Sequence, residues 1–339
     1  MNQMVGSQSI HFARPVHFIS SASLVGKKEG EGPLGDFFDQ IQEDPTFGED
    51  NWESAESSMQ KQVMEMAVAK AGIPMKDLRM IFSGDLQAQS VASSFGLREM
   101  GRPVYQLYGA CSTMGEALGL ASMAVAGGYA GYAAAVTSSH FASAEKEFRF
   151  PLEYGSQRPL SATWTVTGSG ACILGKNGGK AAVTGITSGR IIDYGFKDSL
   201  NMGACMAPAA CDTIYQNLQD FGYGPEAYDQ IITGDLGKVG QKILIDLLGE
   251  KGVDIEDRHL DCGLMIFDNE SQDTHSGGSG CGCSAAVFAS YILPKMERGE
   301  WKKVLFLPTG ALLSKVSYNE GRTIPGIAQG VIVEYLEER

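Results

Sequence analysis

Histidine is scarce in this chain, with five in 339 residues, so an imidazole base or a histidine-built metal site has few places to form. Basic residues are also short: 27 Lys and Arg stand against 40 Asp and Glu, a formal net charge of −13. Phosphate binding is driven mainly by Lys and Arg, so this balance excludes nucleic acid as a partner. It also argues against unaided docking on an anionic bilayer. No run of 18 uninterrupted apolar residues exists. The nearest, 117-ALGLASMAVAGGYAGYAAAV-136, is broken by Gly-Gly and Gly-Tyr and reads as helix, turn and strand. No leader segment is recognised, and the seven cysteines are an odd number in a large chain. A disulfide framework is therefore not expected, and the reading is of a soluble protein in a reducing compartment. Cys281-Gly-Cys283 has no second pair at zinc-finger spacing, and no EF-hand-like acidic loop occurs, so no metal site is expected.

What the chain does have is glycine, 43 residues of it, with 43% hydrophobic and 20% charged residues. That is an ordinary globular composition with many tight turns and close backbone contacts. The length suits two domains, or one domain made of two similar halves.

An internal repeat favours the second option. The run 71-AGIPMKDLRMIFSGDL-86 matches 221-FGYGPEAYDQIITGDL-236, both ending in Gly-Asp-Leu, at an offset of 150. Further on, 111-CSTMGEALGLASMAVAGG-128 matches 283-CSAAVFASYILPKMERGE-300, at an offset of 172. The following strands, 131–140 and 303–312, keep that offset, so 22 extra residues fall between the two blocks of the second half, with 266-IFDNESQDTHSGG-278 as their expected place. Strands alternating with helices predict parallel pairing and an α/β fold. The small-residue helices after Cys111 and Cys283 are predicted to be buried between sheets. Segment 27–60, acidic and turn-rich, has no repeat partner and reads as a solvated surface excursion.

Cys111 stands where a helix begins, and a helix N-terminus favours thiolate. Equally, a small, slightly polar residue suits a tight strand-to-helix turn with no chemistry at all.

The doubled halves, the Cys-led helix and the strand 166-VTGSGACILG-175 resemble the thiolase and ketoacyl-synthase superfamily. The runs 31-EGPLGDFFD-39, 108-YGACSTMGEA-117, 137-TSSHFASAEKEFRFPLEYGSQRP-159, 205-CMAPAACDTI-214, 261-DCGLMIF-267 and 277-GGSGCGCSA-285 are similar to one branch of it, the stage V sporulation protein AD family, from about residue 10 to about residue 336. The resemblance implies a thiolase-like fold in layers α-β-α-β-α, with pseudo-twofold halves over 10–178 and 179–339. It implies a sporulation role: binding of dipicolinic acid, free or as its calcium chelate, as the soluble component of the SpoVA channel. Membrane-spanning SpoVA proteins would be partners, attachment to the spore inner membrane would run through protein contacts, and a homodimer would form through the strand before Cys111.

In the superfamily a His or Asn of the second half serves the nucleophile; the matching positions here are Gly234-Asp235 and Gly282-Cys283. Cys111 therefore reads as a vestigial nucleophile, and neither an enzyme activity nor a cofactor is expected. Of the five histidines only His140, just past a strand, falls where it could reach Cys111. A dicarboxylate needs donors. Those expected to supply them are the helix starts at Cys111-Ser112 and Gly282-Cys283, the turn Ser138-Ser139-His140, and Arg149, with Arg158 as a second counter-charge. Glu116, the one charge between Cys111 and Gly128, is expected to be paired, at an interface or near a site. Two alternatives stay open: an acyl-transfer enzyme acting through Cys111, and an interaction protein with a vestigial pocket.

Overall fold

The computed structural model describes residues 3–148, 153 and 155–337. Ten of the twelve strands of the main sheet form its continuous path: β1 (Ser9–Gly26), β2 (Leu78–Gly84), β3 (Val104–Gln106), β4 (Tyr132–Ser139), β5 (Gly168–Gly175), β6 (Ala181–Thr187), β7 (Gln230–Thr233), β8 (His259–Asp261), β9 (Lys303–Leu307) and β10 (Gly330–Tyr335). Six helices matter to the site: α1 (Trp52–Ala71), α2 (Thr113–Ala126), α3 (Phe141–Phe148), α4 (Met202–Phe221), α5 (Gly237–Glu250) and α6 (Cys281–Val287).

The strand order is β8-β7-β9-β10-β6-β1-β5-β4-β2-β3, and it reads the same from either edge. β2 pairs in parallel with β3 and β4, while β5 runs antiparallel to β4 and to β1. β7 pairs in parallel with β8 and β9, while β10 runs antiparallel to β9 and to β6. The two sets meet where β1 pairs antiparallel with β6. All first-set strands lie before residue 176 and all second-set strands after residue 180. The repeat thus sets the topology, although the sheet is mixed rather than all parallel.

Local signals repeat as well. α1 is capped by Asn51, which accepts from Ser54 N, and ends at left-handed Gly72; α4 is capped by Asn201, which accepts from Ala204 N, and ends at left-handed Gly222. Both are 20 residues long. An Asx cap satisfies an orphan N–H and a left-handed glycine terminates the last turn, so four residues define two helices.

Three cores separate five layers. α1 packs Met59, Val63 and Met64 against Ile81, Val136 and Ile173 of the first strand set. α4 and α5 pack Met206, Ile214 and Leu244 against Ile231, Leu305 and Ile332 of the second. Between the sheets, Met114, Leu118 and Val125 of α2 join Ala285, Val287 and Phe288 at α6, with Phe306 and Val331 behind them. This is the α-β-α-β-α arrangement, and the two central helices are the small-residue ones, with α6 wholly buried and α2 buried except along Glu116, Leu120 and Met123 and at its last residue.

One expectation needs correction. Segment 27–60 is not a solvated excursion: Leu34, Phe38 and Phe47 are buried, Gln40–Gln42 pairs with the end of β1, and the Glu29 carboxylate is buried where it accepts from Thr167 N at 2.9 Å. Its acids conceal an apolar anchor. Besides the loop 266–278, extra residues of the second half lengthen a helix: α5 has 14 residues where the first half has a seven-residue helix, Val91–Leu97.

Candidate functional site

β3 leads into a turn at Gly109, and Ala110 adopts φ +51°, a left-handed conformation that costs a non-glycine residue free energy. The strain turns the chain so that Ala110–Ser112 forms a short 3₁₀ turn delivering Cys111 to the foot of α2. On the other half Gly280 takes φ +110° and Cys281 opens α6. The helix-start equivalent of Cys111 is therefore Cys281. Cys283 lies two residues deeper, its thiol 3.8 Å from the Gly234 carbonyl. Gly280 cannot be replaced easily, since a Cβ there would lie 2.6 Å from Ser139 Oγ.

Cys111 is 5% exposed and closes the inner end of a narrow cleft. The walls come from Leu86, Glu145 and Phe148, from Ala162, Thr163 and Thr165, from Ser199, Leu200 and Met202, and from Ser279 and Ala311. Its free volume is about 30 Å³, a water's worth. No lysine or arginine is among these described lining residues.

Behind Cys111 stands Asp235, fully buried, just past the end of β7. Its carboxylate accepts from Gly280 N (2.8 Å), Thr309 Oγ1 (2.9 Å) and Ser279 Oγ (3.2 Å), and it bears on the Cys111 thiol. Burial pushes this carboxyl up to about 7, against the pull of those donors. The Cys111 thiol is driven well above its ordinary value, first by burial and then by the charge of Asp235. The N-terminal end of α2 would lower it, but burial and a like charge in contact outweigh a terminal half-charge. At neutral pH the thiol is protonated. Across the cleft, Thr165 Oγ1 donates to Glu145 at 2.9 Å.

Of the described residues expected at the site, the structure brings only Cys111 into the cleft. Ser112 Oγ donates to the Gly109 carbonyl and is fully buried. Ser138 Oγ donates to Glu56, and Ser139 Oγ to the Val166 carbonyl. His140 bonds the Pro45 carbonyl at 2.8 Å, stacks on Trp52 at 5.5 Å, and is held below its usual range by burial. These side chains end β4 by pinning α1 and the loop before it. Gly282 sits inside α6 against the backbone of Gly168. Arg149 lies outside the described residues. Arg158 stacks on Trp164 at 5.0 Å and donates to the Asp273 carbonyl at 2.8 Å, so it pins the 268–277 loop rather than facing the cleft. Glu116 lines a separate groove with Gly115, Gly119 and Met123, where burial raises its carboxyl.

No histidine lines the cleft among the described residues. His259 is buried between Thr233 and Gln241, and burial lowers it to about 4. The residues that sequence reasoning passed over are Asp235 as a partner of Cys111, and Glu145 and Ser279 as walls. One signal was available: Gly-Asp-Leu occurs in both halves, and a charged residue repeated at the end of a buried strand is expensive unless it has work there. Asp85, its first-half counterpart, is also buried, accepting from Gln87 N and Ser93.

The family model described as stage V sporulation protein AD (SpoVAD) matches residues 6–334. Stage V sporulation protein AD of Bacillus subtilis (strain 168) is 40% identical over 332 residues, covering 98% of either chain. Among solved structures, a tetronic acid condensing enzyme superposes with a TM-score of 0.60 at 15% identity, covering 94% of this chain and 99% of its own. The 3-oxoacyl-[acyl-carrier-protein] synthase III of Aquifex aeolicus VF5 gives 0.58 at 15% identity, covering 94% and 100%. A variant of OleA from Xanthomonas campestris gives 0.59 at 12% identity, covering 96% and 99%. At these identities the solved structures speak for the fold.

Proposed function

The chain belongs to the stage V sporulation protein AD family and is a sporulation protein, and from that premise we propose that its condensing-enzyme cleft serves ligand binding rather than acyl transfer. The observation that carries this is the pairing of Cys111 with Asp235. Acyl transfer to a thiol needs an attacking thiolate and a group that stabilises developing negative charge. A carboxylate beside the thiol does the reverse on both counts. It raises the thiol and repels an oxyanion. With the thiol well above 9, less than about 1% is thiolate at pH 7.

The ligand we propose is dipicolinic acid, as the resemblance to the family implies, with the protein acting as the soluble component of the SpoVA channel beside its membrane-spanning proteins. Such a planar dicarboxylate would enter along the cleft that Cys111 closes, past Phe148 and Leu200. The buried carboxyl of Asp235 behind Cys111 favours the calcium chelate, or a protonated site, over the bare dianion. A bound Ca²⁺ keeps open positions for oxygen ligands.

No helix among the described residues is long and apolar enough to cross a membrane, which fits attachment to the spore inner membrane through protein contacts. A homodimer is supported by β3, which ends the sheet with its outer edge unpaired, with Tyr105 53% and Phe95 58% exposed beside it.

Calorimetric titration tests the reading, with dipicolinate in one series and acetyl-CoA or malonyl-CoA in another. Binding of dipicolinate without the CoA esters supports it. Covalent acyl transfer to Cys111 overturns it in favour of the enzyme, and binding of neither leaves a scaffold that meets other proteins.

A further inference from the structure

We propose that Asp235 is a proton switch for this cleft, so that a carboxylate ligand binds with uptake of one proton at Asp235. This rests on the ligand-binding reading above. The argument is one of hydrogen-bond polarity. Of the four hydroxyls among the described lining residues, two, Ser279 and Thr165, spend their hydrogens on buried carboxylates: Ser279 on Asp235 at 3.2 Å and Thr165 on Glu145 at 2.9 Å. The Cys111 thiol bears on the same carboxylate, which favours keeping its hydrogen on the Asp235 side. With Asp235 ionised, Cys111 and Ser279 turn only lone pairs toward the cleft. A hydroxyl has one hydrogen to give, so in that state neither can serve an anion.

A proton on Asp235 reverses this. The carboxylic acid has one donor of its own and one fewer demand on its neighbours. Thr309 Oγ1 still holds Oδ1, the carbonyl side, at 2.9 Å, while Oδ2, which takes the proton, keeps a lone pair for Gly280 N at 2.8 Å. The new O–H is then free to serve Ser279 Oγ, which turns its own hydrogen outward to the ligand. The proton comes from solvent, no bond between heavy atoms changes, and the ligand's negative charge is met by the charge that Asp235 loses.

The groups facing Asp235 do not compete for that role. They are the thiols of Cys111, Cys262, Cys281 and Cys283, all held protonated by burial, and Asp261. Asp261 is committed to Thr233 Oγ1 at 2.6 Å and to the N–H groups of Leu236, Gly237 and Leu264. Asp235 is the member of the group that touches two cleft-lining side chains, and its carboxyl titrates near 7, where the switch is useful.

The test is calorimetry of the full chain with dipicolinate at pH 8 in two buffers of different ionisation enthalpy, and affinity between pH 6 and 9. The parent should take up close to one proton per ligand. Its affinity should fall toward tenfold per pH unit above about 7. Asp235→Asn should bind without that uptake, whereas Glu116→Gln, in the separate groove, should keep it. No uptake by the parent, or full uptake by Asp235→Asn, overturns the switch. If dipicolinate does not bind at any pH, the ligand reading fails by itself, and alkylation of Cys111 still decides the switch. Iodoacetate carries a carboxylate into the cleft and iodoacetamide does not. The ratio of their rates, in which thiolate content cancels, should drop at least tenfold from pH 6 to 8.5 in the parent and stay flat in Asp235→Asn. A flat ratio in the parent refutes the proposal.

Discussion

Glu29 offers a direct check on how much this fold spends on buried acids. Its side chain is 1% exposed, its carboxylate accepts from Thr167 N at 2.9 Å, and burial pushes it from 4.5 up to about 7, with that backbone bond and Lys28 pulling the other way. The sign follows from linkage. A carboxyl whose folded value lies above its unfolded one binds more protons when folded. Its contribution is fully present below the unfolded value, near 4.5, and is lost as pH rises through about 7. Between pH 5.5 and pH 8 this single group should therefore remove about 2 kcal/mol of stability. Glu29→Gln keeps a carbonyl oxygen for Thr167 N and removes the titration. Urea unfolding at the two pH values, for parent and variant, measures the difference in slope. The variant should lose about 2 kcal/mol less than the parent over that interval. The same dependence on pH in both proteins would show that Glu29 is solvated in the folded state, and the account of the segment before α1 as a buried anchor would fall with it.

Cys111→Ala should leave the protein folded, with a loss on the order of 1 kcal/mol by thermal unfolding, and mass spectrometry after incubation with acyl-CoA should show no adduct on the parent. His140→Ala should leave dipicolinate affinity unchanged while speeding hydrogen exchange at residues 44–52, since its ring holds Pro45 and Trp52; a tenfold loss of affinity would place His140 back at the site. Gly280→Ala puts a methyl group 2.6 Å from Ser139 Oγ at φ +110°, so it should cost more than about 2 kcal/mol, read by urea unfolding, and loosen the Asp235 contact at its amide. Tyr105→Asp should convert a dimer to a monomer in sedimentation if the β3 edge is the contact.

Much of the architecture was legible from patterns that act locally. Asn51 and Gly72, repeated as Asn201 and Gly222, bound their helices through backbone bonds made within a few residues. The small-residue stretches after Cys111 and Cys283 were read as buried, because a helix without a polar face has nowhere else to go. The repeat implied that the two strand sets share one order, and the fold supplied what that order is. Function was legible only as far as family resemblance reaches, together with the absence of a second-half imidazole beside Cys111.

What tertiary structure alone decided was direction. Ser138, Ser139 and His140 are the residues a strand end near Cys111 would offer, yet alternation along β4 and the demand of buried Glu56 turn Ser138 toward α1. The acidic stretch from 27 to 51 looked solvated by composition, but Leu34, Phe38 and Phe47 outweigh its charges once a sheet edge is there to receive them. Cys111 shows the same limit most plainly. A helix start tells of a half-charge that favours thiolate, whereas burial and a carboxylate brought from 124 residues away decide that the proton stays. Sequence neighbours set backbone conformation through short-range bonds; the electrostatics of a buried group belong to whatever the fold packs against it, and that partner can lie anywhere in the chain.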